Sequence, residues 1–195
     1  MKKYMSVFLL ASLLLLSGCG EDEGSEDEGG TVDSASQGWH YPGRDCLACH
    51  NSDLGESKHL LVAGTVYRDQ NVVNQDDIAN VCGGELIINF LDSNSNVVYS
   101  SNDYKDSNSK GYKGKGNIFI LQRTLRLLTA GTYRAQITDT SGTQMAISGL
   151  SHSFTSQDYD INNPTDSGNR LSCNACHIKG GSQAPLYIQD ATLCK

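Results

Sequence analysis

The sequence predicts a mainly β fold: a small antiparallel sandwich flanked by two loop-rich, short-helical segments. Between Leu60 and Ile147 the apolar residues come in short β-branched and aromatic runs cut by turn residues, and no segment sustains a 3.6-residue apolar period between breakers. A low aromatic fraction (7%) and 20 glycines, with many Ser, Asn and Asp, suit a chain of many turns and short strands. On each side of this region stands the same pentapeptide, Cys-x-x-Cys-His, at Cys46–His50 and again at Cys173–His177.

Taken in order, Leu60 to Tyr67, Glu85 to Leu91, Asn96 to Ser100, Asn117 to Leu121 and Thr132 to Thr138 read as strands. Leu125 to Leu128 begins a further one, with Thr129-Ala130-Gly131 turning into the next, and Ala146 and Ile147 also read as strand. The runs Asp92-Ser93-Asn94-Ser95-Asn96 and Asp139-Thr140-Ser141-Gly142 are turn chemistry between neighbouring strands. Five to seven such strands close their apolar faces on each other as a sandwich. Asn102 to Gly116, with Lys105, Lys110, Lys113 and Lys115, reads as a solvated loop, a basic docking patch being the minority alternative. The stretch Val62-Ala63-Gly64-Thr65-Val66-Tyr67 is similar to the opening strand of immunoglobulin-like and carboxypeptidase-regulatory-like sandwiches, which implies an immunoglobulin-like arrangement.

The amino terminus has the form of an export signal. Lys2 and Lys3 make a short positive region and Tyr4 to Leu16 a nearly unbroken apolar stretch. That stretch is shorter than the roughly 20 residues a membrane-spanning helix needs. Leu16-Ser17-Gly18-Cys19 resembles the lipobox of bacterial lipoproteins, which implies that residues 1–18 are removed and that Cys19 is lipidated. Several acyl chains, at about 0.8 kcal/mol per buried methylene, anchor a protein firmly. Gly20 follows the cysteine where an aspartate would favour inner-membrane retention, so the outer membrane is the expected location, on its periplasmic or cell-surface side. The alternative is an ordinary secretory peptide with a chance cysteine. Residues 19–37, with the acidic run from Glu21 to Gly30, cannot bury enough apolar surface to fold and read as a solvated tether.

Charge and cysteine usage bound the partners. The chain has 15 basic and 22 acidic residues, and loss of the signal peptide removes Lys2 and Lys3, so the mature chain is more acidic still and nucleic acid is excluded as a partner. Of 7 cysteines, four belong to the pentapeptides and Cys19 to the lipobox, leaving Cys82 and Cys194. In an oxidising compartment these two are a disulfide candidate that would staple the tail to the central domain, two unpaired thiols being the alternative.

Cys-x-x-Cys-His is the attachment signature of c-type haem. Two thiols on one short turn each add across a haem vinyl group, and the following histidine is placed under the iron. Two copies predict two c-type haems, held through Cys46, Cys49, Cys173 and Cys176, with His50 and His177 as proximal ligands. A structural zinc site is the first alternative, but its Cys pairs are typically separated by roughly 15 to 20 residues. A thioredoxin-like motif is the second, and it has no need of the trailing histidine. The expected organisation is a first haem-binding segment over residues 38–59, a β-sandwich over 60–150, and a second haem-binding segment with the tail over 151–195. Whether the two ends of the sandwich bring the haems close together is open at this stage.

The sixth iron positions have several candidates. His40, in Gly38-Trp39-His40-Tyr41-Pro42-Gly43, resembles the upstream histidines that multihaem c-type cytochromes place against a haem. His152 and His59 are the other candidate distal ligands, and Met145 is the runner-up, whose competing role is core filler. Two histidines generally keep a potential low and close the iron to other ligands; methionine opposite histidine raises it.

Lipobox and haem motifs together resemble the small lipoprotein cytochromes of bacteria that respire on insoluble or extracellular acceptors. The resemblance implies a membrane-anchored dihaem electron carrier serving other redox proteins, including other cytochromes, with no catalytic residues of its own. Two alternatives stay open: a dihaem reductase or peroxidase with one open iron, and a structural β module that assembles into a haem-bearing homo-oligomer.

Overall fold

The computed structural model describes residues 41–104, 116–166 and 170–194. The signal peptide, Cys19, the acidic tether, His40 and the four loop lysines lie outside the described residues. In chain order the elements are a five-residue helix α1 (Cys46–His50), then β1 (Leu60–Tyr67), β2 (Leu86–Leu91), β3 (Val97–Ser100), β4 (Asn117–Leu121), β5 (Gly131–Asp139), β6 (Gln144–Ile147), β7 (His152–Phe154) and β8 (Leu186–Tyr187). Single 3-10 turns cover Glu56–Lys58, Ile78–Asn80 and Cys173–Ala175.

The fold is mainly β and built from two sheets. One has the strand order β4-β1-β8; the other runs β3-β2-β5-β6, with β7 also paired to β5. Leu61, Val62, Val66, Ile118 and Ile120 of the first sheet share one core with Ile88, Phe90, Ile137 and Phe154 of the second. Each such side chain contributes about 1.5–3 kcal/mol when fully buried. Phe90 and Phe154 meet edge to face at 5.4 Å, the arrangement that sets a positive ring edge against a negative ring face.

Two hairpins use the same local chemistry. In the β2–β3 turn the Asp92 carboxylate accepts from the backbone N–H of Asn94 (2.9 Å) and Asn96 (2.8 Å). In the β5–β6 turn Asp139 accepts from Ser141 (2.9 Å) and Thr143 (2.8 Å), and Gly142 takes a positive φ of 87°. An aspartate that bonds its own turn leaves those amides satisfied before any strand pairs.

Strand β1 is the organising element, and all eight of its residues are buried. One edge pairs antiparallel with β4, Gly64 standing opposite Ile118. The other edge is closed piecewise. Leu171 C=O accepts from Ala63 N (3.3 Å), the Asn174 side chain accepts from Thr65 N (3.0 Å), and Ile188 N donates to Tyr67 C=O (2.9 Å). A buried strand edge must find such partners, because an unpaired amide in the interior is costly.

The structure departs from the sequence expectation in three places. Leu125–Leu128 starts no strand: the chain turns at Leu121–Leu125, Thr129 N is bonded by the Tyr99 hydroxyl (3.0 Å), and Leu128 is buried in the core from a loop. Strands β7 and β8 lie beyond residue 150, and with three and two residues they are too short for a two-residue period to declare itself. Strand β8 pairs parallel with β1, within an otherwise antiparallel pattern. Cys82 and Cys194 form a disulfide with Cα atoms 4.2 Å apart, both half-cystines buried in the core, so the tail is fastened to the sandwich as the cysteine arithmetic suggested. No helix among the described residues is long and apolar enough to cross a membrane.

Candidate cofactor-attachment site

The first pentapeptide is the whole of α1. Asp45 caps it, its side chain accepting from Ala48 N at 3.3 Å. Leu47, fully buried, anchors the helix in the core. At the far end the Asn51 side chain brackets Leu60, donating to its C=O (2.9 Å) and accepting from its N–H (2.8 Å), which ties the helix to the start of β1. The second pentapeptide begins as a 3-10 turn in which Cys176 N and His177 N both donate to Cys173 C=O, at 3.2 and 2.8 Å. In both motifs a single tight turn sets the two cysteines and the histidine on adjacent positions.

The two histidines are held alike. His50 Nδ1 lies 2.8 Å from Lys58 C=O and His177 Nδ1 lies 2.9 Å from Ala184 C=O. A carbonyl can only accept, so in each ring Nδ1 carries the proton and Nε2 is the lone-pair nitrogen. Burial lowers the pKa of His177 below the ordinary imidazole value, which keeps it neutral. A carbonyl on Nδ1 fixes tautomer and ring orientation, as is usual for a metal-ligating histidine.

The fold brings the two motifs against each other across β1. Ser172 Oγ donates to Asp45 Oδ1 at 2.6 Å, and the Tyr159 hydroxyl donates to Asp45 Oδ2. Asn174, buried inside the second motif, donates to Arg44 C=O (2.7 Å) and Thr65 Oγ1 (3.2 Å) and stands 3.8 Å from Cys46 Sγ. Gly64 makes the approach possible, since a Cβ there would sit 2.5 Å from Cys173 Cβ and 3.0 Å from its sulfur.

Cys46, Cys173 and Cys176 are free thiols, and Cys49 is disulfide-bonded. Burial, then the Asp45 charge, pushes the Cys46 thiol up to about 12. Burial, then Cys46, pushes Cys173 up to about 12 as well. This is the opposite of the depressed thiol of a dithiol oxidoreductase. Among the described residues no group of three or more His, Cys, Asp or Glu side chains is placed to hold a metal ion.

The remaining candidates differ in their surroundings. His152, on β7 opposite Tyr133, has a buried Nδ1 with no hydrogen-bond partner. Burial, then the neighbouring His177, then Arg170 lower its pKa to about 4, and the Arg170 Nε beside them is also buried without a partner. His59 Nε2 is bonded to Leu54 C=O at 3.1 Å, leaving Nδ1 as its lone-pair nitrogen. Met145 packs against the shared core.

Asp45, Ser172, Asn174, Tyr159, Thr65 and Gly64 were not legible as site residues in the sequence. Two left a trace there: Asp45 precedes a short helix as a cap residue does, and a glycine inside a strand marks close approach. The others are ordinary polar residues whose partners are more than 100 positions away, as with Asn174 and Thr65 at a separation of 109. No family model matches the chain, and neither a curated protein nor a solved structure is significantly similar to it.

Proposed function

We propose that this chain is a membrane-anchored dihaem c-type cytochrome that passes single electrons between redox partners in the periplasm or at the cell surface. One observation carries the proposal: two Cys-x-x-Cys-His motifs lie side by side, and each histidine has Nδ1 committed to a backbone carbonyl, at 2.8 Å in His50 and 2.9 Å in His177. Those bonds direct Nε2 of both rings to ligand duty. Cys46, Cys49, Cys173 and Cys176 would hold the two porphyrins as thioethers, which requires Cys49 as a thiol at the time of attachment. Bound irons supply the one-electron redox chemistry that no side chain here provides.

For the sixth positions, the orphaned Nδ1 of His152 beside His177 favours His152 at the second site. His59 and His40 are the candidates for the first, and Met145 serves as core filler. Bis-histidine ligation closes an iron to exogenous ligands, which favours electron relay over substrate chemistry. Cys19 would carry the lipid anchor to the outer membrane, and the partners would be other redox proteins, cytochromes among them.

The test is expression in a host that matures c-type cytochromes, followed by a pyridine haemochrome assay and intact mass. Two covalent haems per chain are expected. A colourless product with unmodified cysteines at all four positions would end the proposal.

A further inference from the structure

We propose that the Asp45 carboxylate is a fixed negative charge shared by both attachment sites, holding the reduction potentials of the two bound irons low together. The inference rests on the dihaem proposal above and adds to it a positioning and electrostatic residue. Asp45 is bonded through the backbone to Cys46, the first attachment residue of one motif. Through its side chain it is bonded at 2.6 Å to Ser172, the residue immediately before Cys173 in the other.

The charge is held rather than cancelled. Its donors are Ala48 N, Ser172 Oγ and the Tyr159 hydroxyl, all neutral groups. Tyr159 stays a donor because burial, and then its bond to Asp45, raise its pKa above the ordinary phenol value. Among the described residues Asp45 takes part in no ion pair; Arg44 beside it pairs with Asp76 instead. The Asp45 charge contributes to raising the Cys46 and the Cys173 thiols, the first cysteine of each motif, whereas the charge that acts on His177 is that of Arg170.

An iron gains a positive charge on oxidation. A nearby negative charge in a partly buried setting, where solvent screens it weakly, stabilises the oxidised state and lowers the potential. Because one carboxylate acts on the first cysteine of both motifs, its removal is expected to be felt at both irons.

The experiment is spectroelectrochemical titration of the mature dihaem protein and its variants, each first assayed for two covalent haems. Asp45→Asn keeps the side-chain shape and an acceptor oxygen but removes the charge, so both midpoint potentials should rise. Tyr159→Phe keeps the charge and removes a donor that disperses it, so both should fall. Ser172→Ala should act like Tyr159→Phe, and it decides the matter together with that variant if Asp45→Asn does not fold. A packing role alone would move all three variants in one direction, and that result overturns the proposal. So does an Asp45→Asn protein in which either potential stays put or falls. Absence of haem from the wild-type protein would instead defeat the underlying dihaem proposal, before any variant is compared.

Discussion

Ser172 donates a 2.6 Å hydrogen bond to Asp45, and these two residues stand immediately before the two Cys-x-x-Cys-His motifs. The chain therefore joins its two Cys-x-x-Cys-His turns through the residues that lead into them, although they are separated by most of the sandwich in sequence. Asp45 serves three structural ends with one carboxylate: it caps α1, receives Ser172, and receives Tyr159 from the segment that follows β7.

Gly64 should tolerate no side chain. A Cβ at this position would overlap Cys173 Cβ at 2.5 Å, and neither β1 nor the second motif can retreat without breaking the bonds that close the strand edge. Gly64→Ala is expected to cost about 1–3 kcal/mol, as overpacking of a filled site does. It should also lower haem incorporation below the two per chain proposed above, by displacing the second turn. Thermal unfolding and haemochrome stoichiometry measure both effects, and an unperturbed variant with two haems would show the contact to be softer than its geometry implies.

Asn174 is a side chain used as strand backbone. It satisfies Thr65 N on one side and Arg44 C=O on the other, at 3.0 and 2.7 Å, while 2% exposed. Asn174→Ala strands the Thr65 N–H in the interior, at about 1–3 kcal/mol. A shift of the guanidinium midpoint to lower denaturant with unchanged slope is expected; a change of slope instead would place the effect in the unfolded chain.

The Cys82–Cys194 disulfide spans 112 positions. A loop of that length gives the chain-entropy contribution its larger values, about 4–5 kcal/mol, with about 2–5 typical for loss of a native bridge. The Cys82→Ser, Cys194→Ser double variant should unfold correspondingly earlier. Its tail should become the first site of protease cleavage, followed by mass spectrometry, and equal resistance in both proteins would argue that β8 holds the tail without the bridge.

Acid should weaken the hairpins. Backbone and side-chain hydrogen bonds lower the pKa of both Asp92 and Asp139. With the folded value depressed, the unfolded state binds the extra proton, so the stabilisation is complete above about pH 4, the ordinary carboxylate value, and is lost as pH falls through the folded value. Both carboxylates are open to solvent, so the effect is small and screened by salt. Asp139→Asn should flatten the slope of stability against pH below 4 in denaturant titrations; an unchanged slope would assign the acid sensitivity to other carboxylates.

Strands β1 to β5 and the two aspartate turns were legible from residue order, because a β-branched run between turn formers dictates its backbone locally. Only their ends differ, β2 starting at Leu86, β3 at Val97, and β5 running from Gly131 to Asp139. The two Cys-x-x-Cys-His turns were legible for a similar reason, since spacing on one short turn is a local property. The Cys82–Cys194 pair followed from counting.

Sequence alone determined where the two Cys-x-x-Cys-His turns stand and which segments become strands. The tertiary structure decided that the two motifs meet, that Asn174 and Asp45 knit them, and that His152 comes to lie beside His177. Those relations join residues far apart in the chain through single hydrogen bonds and one missing Cβ. No periodicity records such a contact, because it exists only once β1 has been buried between the elements that cover it.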